Sequence, residues 1–254
     1  MKERIDCHVH SLFSMDSNMG MDTICETAIA RGLRGVCITD HVEHQPADIG
    51  YGKYDTSGYF QEIDRVRQKY GHRLKILAGI EFSEPHLYPK QFENYAKLPY
   101  DSIIGSVHYW IGAELVEDMV IHRPIEQAFE EYWKAVQKAV QLGGFTVLGH
   151  LDFPKRFFKD RVWDRKTIAE IFDLALKHNI VPEINTSSLR NGSGGTMPDQ
   201  ELLDIYKICG GSRVCLGSDA HFSEHIGAGL DIAEQEAEGM HIGYFESRVF
   251  RECK

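Results

Sequence analysis

Short apolar runs recur along the whole chain, nearly all of them ending in a histidine or a carboxylate, and they constrain this sequence more than any other feature. The runs are RIDCHVH (4–10), LRGVCITD (33–40), LKILAGIEF (74–82), YDSIIGSVH (100–108), FTVLGH (145–150), IVPEIN (180–185) and SRVCLGSD (212–219). Their length and their Ile and Val content predict buried strands. Segments of helical period separate them, near residues 21–31, 57–70, 89–96, 124–142, 165–178 and 199–209. The first helix has Asp22 near its start, Ile24, Ala28 and Ile29 on its apolar face, and Gly32 as its stop. In the fifth, Asp164 is the expected N-cap and Asn179 lies beyond the end. Such alternation builds a parallel sheet, either a barrel of βα units or an open doubly wound sheet. A barrel gathers reactive residues at the carboxyl ends of many strands, whereas an open sheet concentrates them at one switch point. The spread of polar strand ends favours the barrel.

A chain of 254 residues accommodates two small domains or one large one. No Pro/Gly/Ser-rich linker, low-complexity tract or charge block divides it, so a single α/β domain over residues 1–254 is expected. MKERIDCHVH at the start lacks the apolar segment of a signal peptide, and no apolar run approaches a membrane span. The expectation is a cytoplasmic protein without a membrane partner. Six cysteines are scattered without a CxxC pair and read as free thiols, with Cys7, Cys37 and Cys215 inside strand-like runs. A formal net charge of −10 with no basic stripe argues against a nucleic-acid partner. It also sits awkwardly with an anionic substrate, unless bound cations reverse the field at the site.

The strand ends supply such a site. His8 and His10 are two residues apart and project to one side of a strand, with Val9 on the other. Asp16 follows in a polar loop. The later runs end in Asp40 and His41, in Glu81, in His108, in His150, in Glu183 and Asn185, and in Asp219 and His221. Imidazole mixed with carboxylate suits Zn, Mn or Fe, while an oxygen-only cage would suit Ca or Mg. The set exceeds the needs of one ion, so two or three divalent ions are expected, with a carboxylate such as Glu81 bridging. Ions of this kind acidify water and polarise a phosphoryl oxygen. Neither a GxSxG motif nor a P-loop competes with that chemistry.

Each residue has an ordinary reading as well. His108 taken alone is a core histidine, and Asp219 taken alone is a helix cap. Asp40 reads as the partner of a ligand or as a cap, and Glu183 as support for the site or as a structural salt bridge. His44 reads as a surface residue. Tyr109 and Trp110 read as loop packing or as pocket walls, and EQAFEEYWKAVQKAVQLGG (126–144) as core.

The ordered set HVHS, TDH, GIE, SVH, GH and GSDAH, over roughly residues 5 to 225, resembles the PHP (polymerase and histidinol phosphatase) superfamily. The resemblance implies a distorted (βα)7 barrel with a trinuclear metal site. Carried over, the first ion takes His8, His10, Glu81 and Asp219, and the second takes Asp16, His41 and His221. The third shares Glu81 and adds His108 and His150. Many members carry His where Asp16 stands; histidinol-phosphatase members often have Asp, so the departure points to that branch. FSMDS, GHLDFPKRF and PEINTSSLRNG…MPDQELL resemble the same branch. The last stretch brings Asn185 and Arg190 to the barrel mouth. An arginine fork suits a phosphate dianion, so Arg190, then Arg156, then Arg161 are the expected phosphate contacts, with Asn185 beside them. The activity implied is a metal-dependent phosphomonoesterase, a phosphoric monoester hydrolase of histidine biosynthesis cleaving L-histidinol phosphate. Its partner would be a small phosphate ester, with His221 or a water donating the leaving-group proton. The oligomeric state is left open.

Three other readings stay open on the residues. One is the same chemistry on another phosphomonoester or a phosphodiester. Another is a non-catalytic metal-binding protein, against which the complete ligand set argues. The third is a barrel hydrolase of the amidohydrolase kind, for which no strand-end lysine is present.

Overall fold

The seven apolar runs become β1 (Ile5–Val9), β2 (Gly35–Val42), β3 (Lys75–Ser83), β4 (Ser102–Ser106), then, after a short hairpin β5 (Tyr109–Ile111) and β6 (Glu114–Leu115), β7 (Val147–Leu148), β8 (Val181–Asn185) and β9 (Arg213–Gly217). The structure is a computed structural model that describes residues 3–111, 114–159 and 162–254. Helices α1 (Met21–Ala30), α2 (Thr56–Tyr70), α3 (Pro89–Ala96), α4 (Ile125–Leu142), α5 (Arg165–Lys177) and α6 (Gln200–Ile208) lie between the strands close to the expected bounds. Gly32 terminates α1 with φ +74°, a conformation a side chain would strain. Asp164 caps α5 by accepting from Thr167 N at 2.9 Å, and Asn179 follows the helix at φ 57°.

Strands β1, β2, β3, β4, β7, β8 and β9 pair in that order, all in parallel. The ring is completed at its carboxyl end by a bridge between Val9 and Ala220, with His10 N donating to Ala220 O at 2.9 Å. The sequence stopped short of assigning the last thirty residues. They form α7 (Leu230–Glu236) and a hairpin of β10 (His241–Glu246) and β11 (Val249–Glu252). β10 runs parallel to β9 through Arg213–Cys215, so the hairpin continues the sheet at the base and the ring closes only at the top. That asymmetry is the distortion of the barrel.

Strand alternation sorts side chains into two cores. Val36, Ile38, Ile80, Phe82 and Ile103 face outward and pack under the helices, while Cys37, Leu77, Ile104, Val147, Val181 and Cys215 fill the base of the barrel. In β1, Asp6 pairs with Val36 but Val9 pairs with Ile38, so β1 holds one residue more than β2 over that stretch. This bulge shifts the phase. It lets Cys7 join the inner core and places His8 and His10 on the inner face above it, with Val9 outside. Asp6 then fastens the closure. It is fully buried and accepts from Ser218 N at 2.8 Å and Gly227 N at 2.7 Å. All six cysteines are free thiols. Among the described residues, no helix is long and apolar enough to cross a membrane.

Candidate metal centre

Above the thiols and aliphatics the barrel interior turns polar at one level, and Glu81 stands in its middle. Its Oε2 lies 3.1 Å from His8 Nε2, 3.5 Å from His10 Nε2 and 3.3 Å from His41 Nδ1. Its Oε1 lies 2.8 Å from His150 Nε2 and 3.4 Å from His108 Nε2. Asp219 Oδ1 sits 3.4 Å from His10 Nε2 and 3.8 Å from His8 Nε2. Asp16, half-exposed, turns its Oδ2 to His221 Nε2 at 3.0 Å and His41 Nε2 at 3.5 Å. The nine residues read from the strand ends and the first loop are thus brought together.

What aims these rings lies behind them. His8 Nδ1 is 2.7 Å from Glu183 Oε1. His10 Nδ1 meets Ser14 Oγ at 3.1 Å, and that hydroxyl donates to Asp40 at 2.8 Å. His108 Nδ1 meets Ser83 Oγ at 3.1 Å, and that hydroxyl donates to Glu43 at 2.6 Å. His221 Nδ1 reaches the carbonyl of Asp219 at 3.1 Å. With Nδ1 donating outward, each ring keeps a lone pair on Nε2 and turns it inward, which is how metal-binding histidines are held. Asp40 and Glu183 therefore act as the partner and supporting groups that the sequence allowed.

The backbone makes room for this. Asp219 adopts φ 53°, a left-handed conformation that carboxamide and carboxylate residues tolerate best, at the end of β9. Gly217 beneath it could not carry a side chain, since a Cβ there would stand 2.0 Å from Glu183 Oε1 and 2.6 Å from His8 Cβ.

Two observations test whether a cation fits. His10 Nε2 and His41 Nδ1 are buried with no hydrogen-bond partner, and His108 Nε2 and His150 Nε2 face one another at 3.3 Å beside one carboxylate oxygen. Donor atoms from His8, His10 and Asp219, from His10, His41 and His221, and from His41, Glu81 and His108 lie mutually within 4.8 Å. Charge agrees. Burial raises the carboxyls of Glu81 and Asp219, but His8 and the other imidazoles around them carry both well below the usual range. Burial, with His221 and His41 alongside, pushes His10 well down, so it is neutral. Ionised carboxylates and a neutral His10 are the protonation states a divalent ion takes up. His8 and His41 are lowered by burial but raised further, the one by Glu183 and Glu81 and the other by Glu81 and Asp16, and both lie well above the usual range. A cation binding there displaces their protons. The donor set can hold metal.

A cavity of about 600 Å³ opens over this layer, with Arg156, Arg190 and Phe153 in its wall. Arg190 Nη2 donates to Ser218 O at 2.6 Å and Asp219 O at 3.3 Å, while its Nη1 is buried without a partner. Arg156 stacks its guanidinium 5.3 Å over Phe153 and lies 3.8 Å from Asp219 Oδ2. Arg161 lies outside the described residues.

Several expectations are corrected. Asn185 is not a cavity contact: it is fully buried, its Nδ2 donating to Glu183 and Asp219 and its Oδ1 accepting from Ser187. It orients carboxylates from below. His221 cannot be both ligand and proton donor through different nitrogens, because Nδ1 is held by a carbonyl and Nε2 alone faces Asp16. His44 is half-buried, its ring packed against Phe82, Tyr88 and Tyr95 rather than free in solvent. Tyr109 both packs and lines the cavity. Sequence reading missed Asp6 and Glu43. Glu43 had a signal, since it follows the end of β2 directly and lies two residues beyond His41, with its Oε1 3.3 Å from that ring's Nδ1.

Comparison with known proteins agrees with this geometry. Residues 6–187 match the PHP domain. The chain is 28% identical over 260 residues to a Clostridium acetobutylicum protein named "Probable histidinol-phosphatase", covering 97% of this chain and 98% of that one. It is 26% identical over 232 residues to the histidinol-phosphatase of Lactococcus lactis subsp. lactis, covering 87% and 86%. Among solved structures, the histidinol phosphate phosphatase of Lactococcus lactis subsp. lactis, in complex with Zn, L-histidinol and phosphate, superposes with a TM-score of 0.84 at 26% identity, covering 98% of this chain and 99% of that one.

Proposed function

This chain belongs to the PHP domain family, and from that premise we propose that it is a metal-dependent phosphomonoesterase whose substrate is L-histidinol phosphate, cleaved to L-histidinol and phosphate, with residues 1–254 forming one catalytic domain. One observation carries the reading. Imidazole Nε2 atoms of His8, His10, His108 and His150, the first three oriented from behind, converge on Glu81 in a cavity whose wall also holds Arg190, with a buried nitrogen that has no partner. Metal ligands and an oxyanion donor belong to the same task. The substrate follows from the relatives, whose names and bound molecules are a histidinol-phosphatase and L-histidinol with phosphate.

Two or three divalent ions are the proposed occupants, Zn first because the Lactococcus lactis protein carries it, with Mn and Fe suited to the same donors. His8, His10, Glu81 and Asp219 would hold one, Asp16, His41 and His221 a second, and Glu81, His108 and His150 a third. His41 stands within reach of both latter groups, facing Asp16 with Nε2 and Glu81 with Nδ1. When bound, such ions acidify water and offset the charge of the phosphoryl group.

The chain's own groups do the rest. Arg190 Nη1 and Arg156 present N–H donors to the phosphoryl oxygens, and donors fixed before the reaction need no reorganisation as charge develops. Arg190 is held for this by the carbonyls of Ser218 and Asp219, so its fork cannot swing away. Glu183, Asp40 and Glu43 keep the protons of His8, His10 and His108 on Nδ1, directly or through a serine hydroxyl. Phe153, packed on His108 and His150 at 4.9 and 4.8 Å, shields that side of the layer from water.

The test is phosphate release from L-histidinol phosphate by metal-replete protein, with p-nitrophenyl phosphate alongside. Preference for histidinol phosphate is expected. Turnover of the generic ester alone keeps the phosphatase and removes the substrate; turnover of neither removes both.

A further inference from the structure

The turn after β7 buries a charge outside the cavity and the metal layer. Lys155 stands in the single helical turn Phe153–Arg156, next in sequence to an arginine that faces the cavity. Its own side chain points away from that wall and is only 1% exposed. Lysine is almost never buried to this degree, because an ammonium taken out of water must find partners to replace it. Here Nζ donates to the carbonyl of Thr196 at 2.6 Å and forms an ion pair with Asp199. Asp152, just before the turn, accepts from Asp199 N at 3.1 Å through its Oδ2. A methionine of similar length would fill the space without desolvating a charge, so packing does not account for a lysine at this position.

What the ammonium grips is tied to both arginine loops. On one side of Thr196, Met197 exchanges backbone hydrogen bonds with Asn185 at the end of β8, at 2.9 and 2.7 Å. On the other side Gly195, at φ +67°, offers its carbonyl to Ser188 Oγ at 2.7 Å, inside the turn Ser187–Leu189 that leads into Arg190. A Cβ on Gly195 would stand 3.2 Å from Lys155 Nζ, so the backbone runs close against the ammonium. Segment 195–199 thus links the β7 and β8 loops, and Lys155 is its grip on the first. Arg156 needs such a grip. Its side chain is 33% exposed, stacks 5.3 Å over Phe153 and comes no nearer than 3.8 Å to Asp219 Oδ2.

We propose that Lys155 is a positioning residue: by binding Thr196 and Asp199 it holds Arg156 at a set separation from Arg190, so that both forks meet one phosphoryl group. It touches no substrate itself. This role rests on the phosphomonoester reading and adds to it a residue buried behind the cavity wall.

A double-mutant cycle decides it. Inorganic phosphate is titrated calorimetrically into zinc-loaded wild type, Lys155→Met, Arg156→Ala and the double variant, with the melting temperature read on every sample. Arg156→Ala is expected to weaken phosphate binding by about tenfold or more. Lys155→Met is expected to weaken it by about three- to tenfold. Added to Arg156→Ala, Lys155→Met should change affinity by less than about twofold, because the group it misplaces is already gone. A merely structural role would weaken both backgrounds alike. Full affinity in Lys155→Met, or effects that multiply in the double variant, overturns the proposal. If Lys155→Met does not fold, Asp199→Asn loosens the same contact more mildly and takes its place under the same two criteria. Phosphate release from L-histidinol phosphate is followed in parallel. Coupled phosphate binding without release removes the hydrolysis and leaves Lys155 its role; release with uncoupled effects does the reverse. Undiminished phosphate affinity in Arg156→Ala removes the role of both residues.

Discussion

Within one barrel, on the same inward faces, two layers obey opposite rules. In the lower layer Cys37, Leu77, Ile104 and Cys215 are buried among aliphatic neighbours, where each contributes by leaving water and filling space. Four residues further along those same runs stand His41, Glu81, His108 and Asp219, where ionised and neutral polar groups face one another at little more than hydrogen-bond distance. The lower layer needs no partner to be stable. The upper layer holds together through hydrogen bonds reaching it from behind and leaves buried ring nitrogens of His10 and His41 without a hydrogen-bond partner. Such an arrangement is unfavourable for folding alone, so the contrast locates the function.

The sharpest way to break the contrast is Glu81→Ala. Activity on L-histidinol phosphate should fall by on the order of 10³-fold or more, because ligands of the proposed ions converge on this one carboxylate. The melting temperature of the metal-free protein should change little. Second in size is Leu77→Ala in the lower layer, expected to destabilise by about 2–5 kcal/mol in urea unfolding while leaving kcat intact. If it lowered kcat at full folding, the two layers would not be separable. Third, Glu183→Gln should weaken metal binding roughly 10–100-fold, since it withdraws the carboxylate behind His8. Added metal should restore activity, which separates positioning from damage to the fold. Smallest is a pH effect confined to the lower layer. Burial raises the Cys37 thiol well above its ordinary value of 9.0. A raised thiol contributes stability that is whole below the unfolded pKa and is lost as pH climbs through the folded one. Unfolding free energy should therefore decline above about pH 9, with a shallower slope in Cys37→Ala.

The same two layers explain what the sequence disclosed. Strand runs and strand-end donors were legible because both are local signals: a short run rich in Ile and Val predicts a buried strand, and the polar residues that end such runs meet at one rim of a parallel barrel. The cluster of donor residues from His8 to His221 could be picked out from the sequence for that reason. Asp6 and the role of Asn185 could not. Asp6 acts through a bulge that shifts the phase of β1, and Asn185 acts through two carboxylates brought near it only by tertiary closure. The β10–β11 hairpin was missed because HIGYFE and VFRE are half-exposed and alternate weakly. Glu43 lay within reach, directly after the end of β2 and two residues from a proposed ligand, and was obscured by its neighbour His44.

The measurement that bears most directly on the account is a metal titration of chelator-treated protein, with bound metal and phosphate release from L-histidinol phosphate read on the same samples. The account predicts no release without metal, release rising in step with two or three bound equivalents per chain, and none at any loading in Glu81→Ala. Undiminished release from metal-free protein, or full activity in Glu81→Ala, would contradict it.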